Sequence, residues 1–164
     1  MGIYLNPDNK GFEQAIHSKI YEDKTGLIAC TNELLNTEER FVCVSRPRRF
    51  GKSMALKMLA AYYGRGCDSR ELFAGLEIER DSSFEEHLNQ YDVIYLNMQQ
   101  FLIGAKGREI TEYLEQEVLE ELLEEYGHLL KRHDMGLADI LRKIHAKSGK
   151  EFIFLIDEWD CVMR

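Results

Sequence analysis

Apolar and polar positions follow two rhythms along the chain. Three short runs are apolar at most positions and rich in strand formers. They are residues 41–45 (Phe41, Val42, Cys43, Val44, Ser45), residues 91–98 and residues 152–156 (Phe152, Ile153, Phe154, Leu155, Ile156). Runs of this length predict buried strands. Elsewhere apolar residues recur every three or four positions, which predicts helices over 12–18, 25–36, 54–62, 108–126 and 136–147. Leu27, Ile28, Leu34 and Leu35 form the apolar face of the second. Ile110, Tyr113, Leu114, Val118, Leu122 and Tyr126 form that of the fourth and turn its glutamates outward. Residues 54–62 are strong helix formers with no breaker before Gly64. The alternation of strands and helices predicts an α/β fold with a mainly parallel sheet and helices on its faces.

The junctions carry the chemistry. Between the first strand run and the next helix stand Arg46, Pro47, Arg48, Arg49, Phe50, Gly51, Lys52 and Ser53. The last three complete the phosphate-binding pattern Gly-x-x-x-x-Gly-Lys-Ser/Thr. Gly51 lets backbone approach a phosphate without a Cβ clash. Lys52 sets an ammonium against the β- and γ-phosphates, and Ser53 offers a hydroxyl to Mg²⁺. The following helix turns its first N–H groups and the positive end of its dipole toward the anion. Arg46 replaces the first glycine of the pattern, and Pro47 lacks an N–H. The anion cradle is therefore expected from residues 48–54, with Arg48 and Arg49 adding charge and Phe50, Gly51, Lys52, Ser53 and Met54 adding backbone.

The third strand run ends in Asp157 and Glu158, a Walker B arrangement. A carboxylate at the carboxyl end of a parallel strand lies in the crevice where open α/β sheets bind ligands. Asp157 is expected to hold Mg²⁺ opposite Ser53, and Glu158 to orient and deprotonate the attacking water. Lys52 and Glu158 are thus the catalytic candidates, with Ser53 and Asp157 as the metal ligands. A polar turn after a buried strand is the plainer account of Asp157 and Glu158. It loses ground once the two motifs are taken together.

Composition narrows the partners. The 164 residues are 45% hydrophobic and 30% charged, as expected of one globular domain. Lys and Arg number 21 against 29 Asp and Glu, a net charge of −8 that disfavours a general nucleic-acid or membrane-surface binder. Arg46, Arg48, Arg49 and Lys52 form a local basic cluster, so a DNA-binding accessory module stays an alternative, set against the acidic charge of the whole. No apolar run reaches membrane-spanning length. The start carries no secretory signal. The four cysteines form no C-x-x-C pair, which predicts reduced, mostly buried thiols in a cytoplasmic protein.

Four segments together give the chain a family resemblance: residues 21–25, 45–53, 72–78 and 155–160. In them the loop from Arg46 to Ser53 is highly specific, and the last contains the run Leu155, Ile156, Asp157, Glu158, Trp159, Asp160. The chain resembles the bacterial predicted AAA-ATPase-like proteins, in which the missing first glycine is normal and Trp159 is more often Tyr. The resemblance implies a P-loop NTPase-type three-layer sandwich with a mainly parallel sheet, incomplete at the C-terminus. Residues 1–40 would be a helical lead-in and 41–164 the core from P-loop to Walker B. It implies ATP and Mg²⁺ as cofactors and ATP hydrolysis driving a conformational change in the full-length protein. A non-hydrolysing nucleotide-gated switch is the alternative. Family members often continue into a PD-(D/E)XK nuclease-like domain, so residues 1–164 are expected to be an N-terminal part, weak in binding and turnover. In related ATPases a further strand inserts between the two motif strands. Without it these would flank a gap, collapse together, or self-associate through the gap. Residues 21–25 read either as a cap of the second helix, through Asp23 or Thr25, or as part of a wall for the nucleobase, with no residue assigned to the base.

Overall fold

The computed structural model describes residues 2–45, 50–130 and 136–163, with 162 and 163 through their backbone alone. Its helices are α1 (Lys10–Ile16), α2 (Gly26–Leu34), α3 (Lys52–Tyr63), α4 (Phe84–His87), α5 (Met98–Ala105), α6 (Ile110–Tyr126) and α7 (Leu137–Ser148). Its strands are β1 (Asp92–Asn97) and β2 (Phe152–Asp157). Short 3-10 turns at Arg70–Phe73, Glu77–Arg80, Gly127–Leu129 and Trp159–Met163 complete it. The fold is α/β with a small parallel sheet. β1 and β2 run in register from Asp92 opposite Phe152 to Asn97 opposite Asp157.

The sheet carries a core on each face. Val93 and Leu155 pack with Phe12, Ile28, Met58 and Phe73 on one side. Ile94 and Leu96 pack with Val118, Leu122, Ile140 and Ile144 on the other. That division follows from the period of two along β1, which sends successive side chains to opposite faces. It explains why a nearly continuous apolar run is stable there.

Polar groups fix the arrangement at the amino end of the sheet. Asp92 is fully buried. It accepts hydrogen bonds from Arg65 Nε at 2.5 Å, from Asn6 Nδ2 at 2.5 Å and from the Tyr126 hydroxyl. Asn6 also accepts from the Val93 N–H at 2.9 Å, while residues 4–6 pair along the outer edge of β1. Burial and the neighbouring Asp92 carboxylate push the Tyr126 hydroxyl well above its ordinary pKa. Asn32 makes a second buried hub, donating to Tyr62 and Ser83 and accepting from Tyr63.

Several expectations change. Residues 41–45 form no strand, and Phe41, Val42 and Val44 are 82%, 52% and 49% exposed. A strand needs a neighbour's backbone, and among the described residues no strand lies beside this segment; a cavity separates it from β2. Two strands are therefore observed among the described residues, where three were expected. The cysteines form no disulfide and are not mostly buried: Cys30 and Cys43 are exposed, Cys67 and Cys161 half-buried. The glutamates of α6 are not all mere solvated surface. Glu121 accepts from the N–H groups of Ile3, Tyr4 and Leu5, and Glu115 from that of Leu137 at the start of α7. Among the described residues no helix is long and apolar enough to cross a membrane.

Residues 21–25 act as a clamp. Asp23 Oδ1 accepts from the Thr25 N–H and hydroxyl at 2.8 and 2.7 Å, and its Oδ2 from the Glu77 N–H at 2.8 Å. The buried Thr25 hydroxyl accepts from the Ile78 N–H at 3.1 Å. Thr25 precedes α2 without a side-chain cap bond to it, so the segment ties the helix start to the 77–80 turn instead of capping it. Burial alone would raise the pKa of Asp23. Hydrogen bonds from Thr25 and Glu77 outweigh it and hold the carboxyl below its ordinary value of 3.8. A depressed native value contributes stability that is complete above the unfolded-state value and is lost as pH falls through the native one. Chemical denaturation between about pH 5 and pH 2 should therefore show a shallower stability loss in Asp23→Asn than in the wild type. Equal slopes would contradict the clamp.

Candidate functional site

Gly51 precedes α3 with φ +80°, a left-handed conformation that glycine adopts without a steric penalty. α3 then starts at Lys52 and drives end-on into the core. Its second half, Met58 to Tyr63, is buried, while Ser53 and Met54 in its first turn are exposed. Helix geometry points the first-turn N–H groups out of the helix along its axis. Phe50 is 63% exposed. Arg48 and Arg49 lie outside the described residues.

β2 delivers the carboxylates. Asp157, its last residue, is only 3% exposed. The Glu158 N–H donates to Asp157 Oδ1 at 3.0 Å, and the Tyr95 hydroxyl donates to Oδ2 at 3.4 Å. Burial first, and then the Asp157 carboxylate, push the Tyr95 hydroxyl well above its ordinary pKa. Tyr95 thus stays a proton donor to Asp157 through the neutral range. Glu158 has φ +52°. Three of the other four non-glycine residues at positive φ are asparagines, which tolerate that region. A glutamate there costs about 1–3 kcal/mol, a strain found most often at functional sites.

These residues share a cavity. Lys52, Asp157 and Glu158 all line one cavity of about 710 Å³ between residues 40–44, α3 and β2. Trp159, 46% exposed, lines it too. Ser53, Phe50, Gly51 and Met54 are not among its walls; Ser53 is exposed in the same first helical turn as Lys52. Among the described residues no group of three or more His, Cys, Asp or Glu side chains is placed to hold a metal ion. A buried carboxylate at a strand end suits a metal that takes most of its ligands from phosphate and water, as Mg²⁺ does.

Two neighbours of the site escaped the sequence reading. Tyr95 shares a strand face with Val93, and only the register between β1 and β2 brings it to Asp157. Lys24 brings its ammonium to 3.8 Å from where a Cβ on Gly51 would stand, a contact between segments far apart in sequence. No periodicity marks it.

A family model described as a predicted AAA-ATPase matches residues 10–164. No curated protein and no solved structure matches the chain.

The strain at Glu158 is directly measurable. Glu158→Gly should raise stability by about 1 kcal/mol in urea denaturation, because glycine adopts positive φ freely. Glu158→Ala keeps the strain and should give no gain. A loss of stability in Glu158→Gly would show that the carboxylate holds the turn together.

Proposed function

The chain belongs to the predicted AAA-ATPase family, and from that premise we propose that it binds ATP at the start of α3 and hydrolyses it with the carboxylates at the end of β2. On this reading the fold is of the P-loop NTPase type, and hydrolysis drives a conformational change. The observation that carries the proposal is that Lys52, Asp157 and Glu158, about a hundred residues apart in sequence, wall a single cavity.

Each residue then has a task. Lys52 holds the β- and γ-phosphates and offsets the charge that builds on them as the bond to the γ-phosphorus breaks. Gly51 lets the phosphate chain lie against backbone. Glu158 accepts a proton from the attacking water as its oxygen bonds to the γ-phosphorus, and the bridging oxygen leaves with ADP. Mg²⁺ would be held by Asp157 and the Ser53 hydroxyl, and would neutralise charge on the phosphate oxygens. Tyr95 orients the Asp157 carboxylate by its hydrogen bond.

Trp159 adjoins Glu158 and reports on the cavity. Mg·ATP should change its emission, and Lys52→Ala should weaken that titration at least about tenfold. In Glu158→Gln of the full-length protein, ATP affinity should stay within about twofold while hydrolysis falls at least about 100-fold. A titration unchanged by Lys52→Ala would overturn the binding site. Hydrolysis that is absent in the full-length protein, with binding intact, would favour the nucleotide-gated switch.

A further inference from the structure

Lys24 approaches Gly51 from a distant part of the chain. Its ammonium lies 3.8 Å from the position that a Cβ on Gly51 would occupy. Among the described residues, no other atom beyond Gly51 and its chain neighbours comes within 4 Å of that position. We infer that Lys24 is a second phosphate-binding cation of the site: it holds the α- and β-phosphates, which stay on the diphosphate product, while Lys52 serves the γ end. The inference rests on the ATP reading above and deepens it.

Position comes first. Lys52 lines the large cavity together with Asp157 and Glu158. Lys24 is not among the walls of that cavity; it and Gly51 border a smaller hollow of about 290 Å³. The two ammonium groups thus serve different sides of Gly51. A phosphate chain laid against this glycine, with its γ end at Lys52 and Glu158, carries its other end toward Lys24. The sequence gives a reason for the second cation. Arg46 stands in place of the first glycine of the loop pattern, and Pro47 has no N–H. A cradle short of backbone donors gains from a charge supplied by another segment.

Lys24 is also held and available. Its neighbours in sequence bind the 77–80 turn, Asp23 through the Glu77 N–H and the fully buried Thr25 through the Ile78 N–H. The Lys24 backbone is therefore fixed while its side chain stays about half exposed. That combination makes a positioned cation, and it gives the clamp a functional consequence. The ammonium pairs with Glu22 at 3.3 Å, and the Glu22 side chain is 79% exposed. Exposed pairs of this kind are weak. A phosphate group forms charge-assisted hydrogen bonds to the ammonium and replaces Glu22 at small cost. Asp23 does not compete, because its oxygens already accept from Thr25 and Glu77.

Calorimetric titration of the 164-residue chain with Mg·ATP and with Mg·ADP tests the assignment. Lys24→Gln should weaken both nucleotides by the same factor, about fivefold, because the phosphates it contacts are present in both. Lys24→Arg keeps the charge and should bind both within about twofold of the wild type. Glu22→Gln releases the ammonium and should tighten both about twofold, a gain that a lysine with a purely structural role would not give. An ATP affinity unchanged by Lys24→Gln, a loss confined to ATP, a loss that Lys24→Arg shares in full, or a Glu22→Gln variant that binds no tighter than the wild type overturns the assignment. If Lys52→Ala still weakens ATP in that case, the phosphate site stands without Lys24. Binding of neither nucleotide by the wild type removes both proposals.

Discussion

A single buried carboxylate holds the amino end of this fold together. Asp92 opens β1 and receives Arg65 from just beyond α3, Tyr126 from the end of α6 and Asn6 from the N-terminal segment. A buried charge is tolerated only when paired and hydrogen-bonded, and removing a partner typically costs about 3–5 kcal/mol. Arg65 meets this demand. Burial disfavours its charged form, but the Asp92 hydrogen bond and charge more than offset that and raise its pKa. With these elements pinned at one end of the sheet, the start of α3 and the end of β2 are carried to the other. The buried polar hub and the proposed nucleotide site thus sit at opposite ends of the same two strands.

The chemical end shows the reverse economy. Glu158 is held at positive φ, Asp157 is buried yet lines a cavity, and the outer side of β2 leaves Phe154 and Ile156 42% and 45% exposed. None of these features favours a maximally stable fold. All are intelligible if the end of β2 is shaped by what it must hold. The same holds for α3, whose apolar half is sunk in the core while its first turn meets solvent.

Much of this was legible from residue pattern. Five helices and two strands appear close to their expected places, because long periodic or strongly apolar segments report their own burial. The run 41–45 misled, since apolarity predicts burial only where a neighbouring strand exists to provide it. α5 was missed because Met98 continues the apolar run of β1; the Asn97 side chain, which accepts the Gln100 N–H, ends the strand and starts the helix. For the site, the motif residues Gly51, Lys52, Asp157 and Glu158 could be named from spacing alone. Tyr95, Lys24 and the work of Glu121 could not, because each depends on contacts between distant segments that leave no local periodicity.

The central claim is that the start of α3 and the end of β2 grip one triphosphate together. A crystal structure of the chain with Mg²⁺ and a non-hydrolysable ATP analogue tests it most directly. The account predicts the phosphates against Gly51, Lys52 and Ser53, with the metal ion between the Ser53 hydroxyl and the Asp157 carboxylate. A nucleotide bound elsewhere, or one whose metal ion leaves Asp157 untouched, would contradict it.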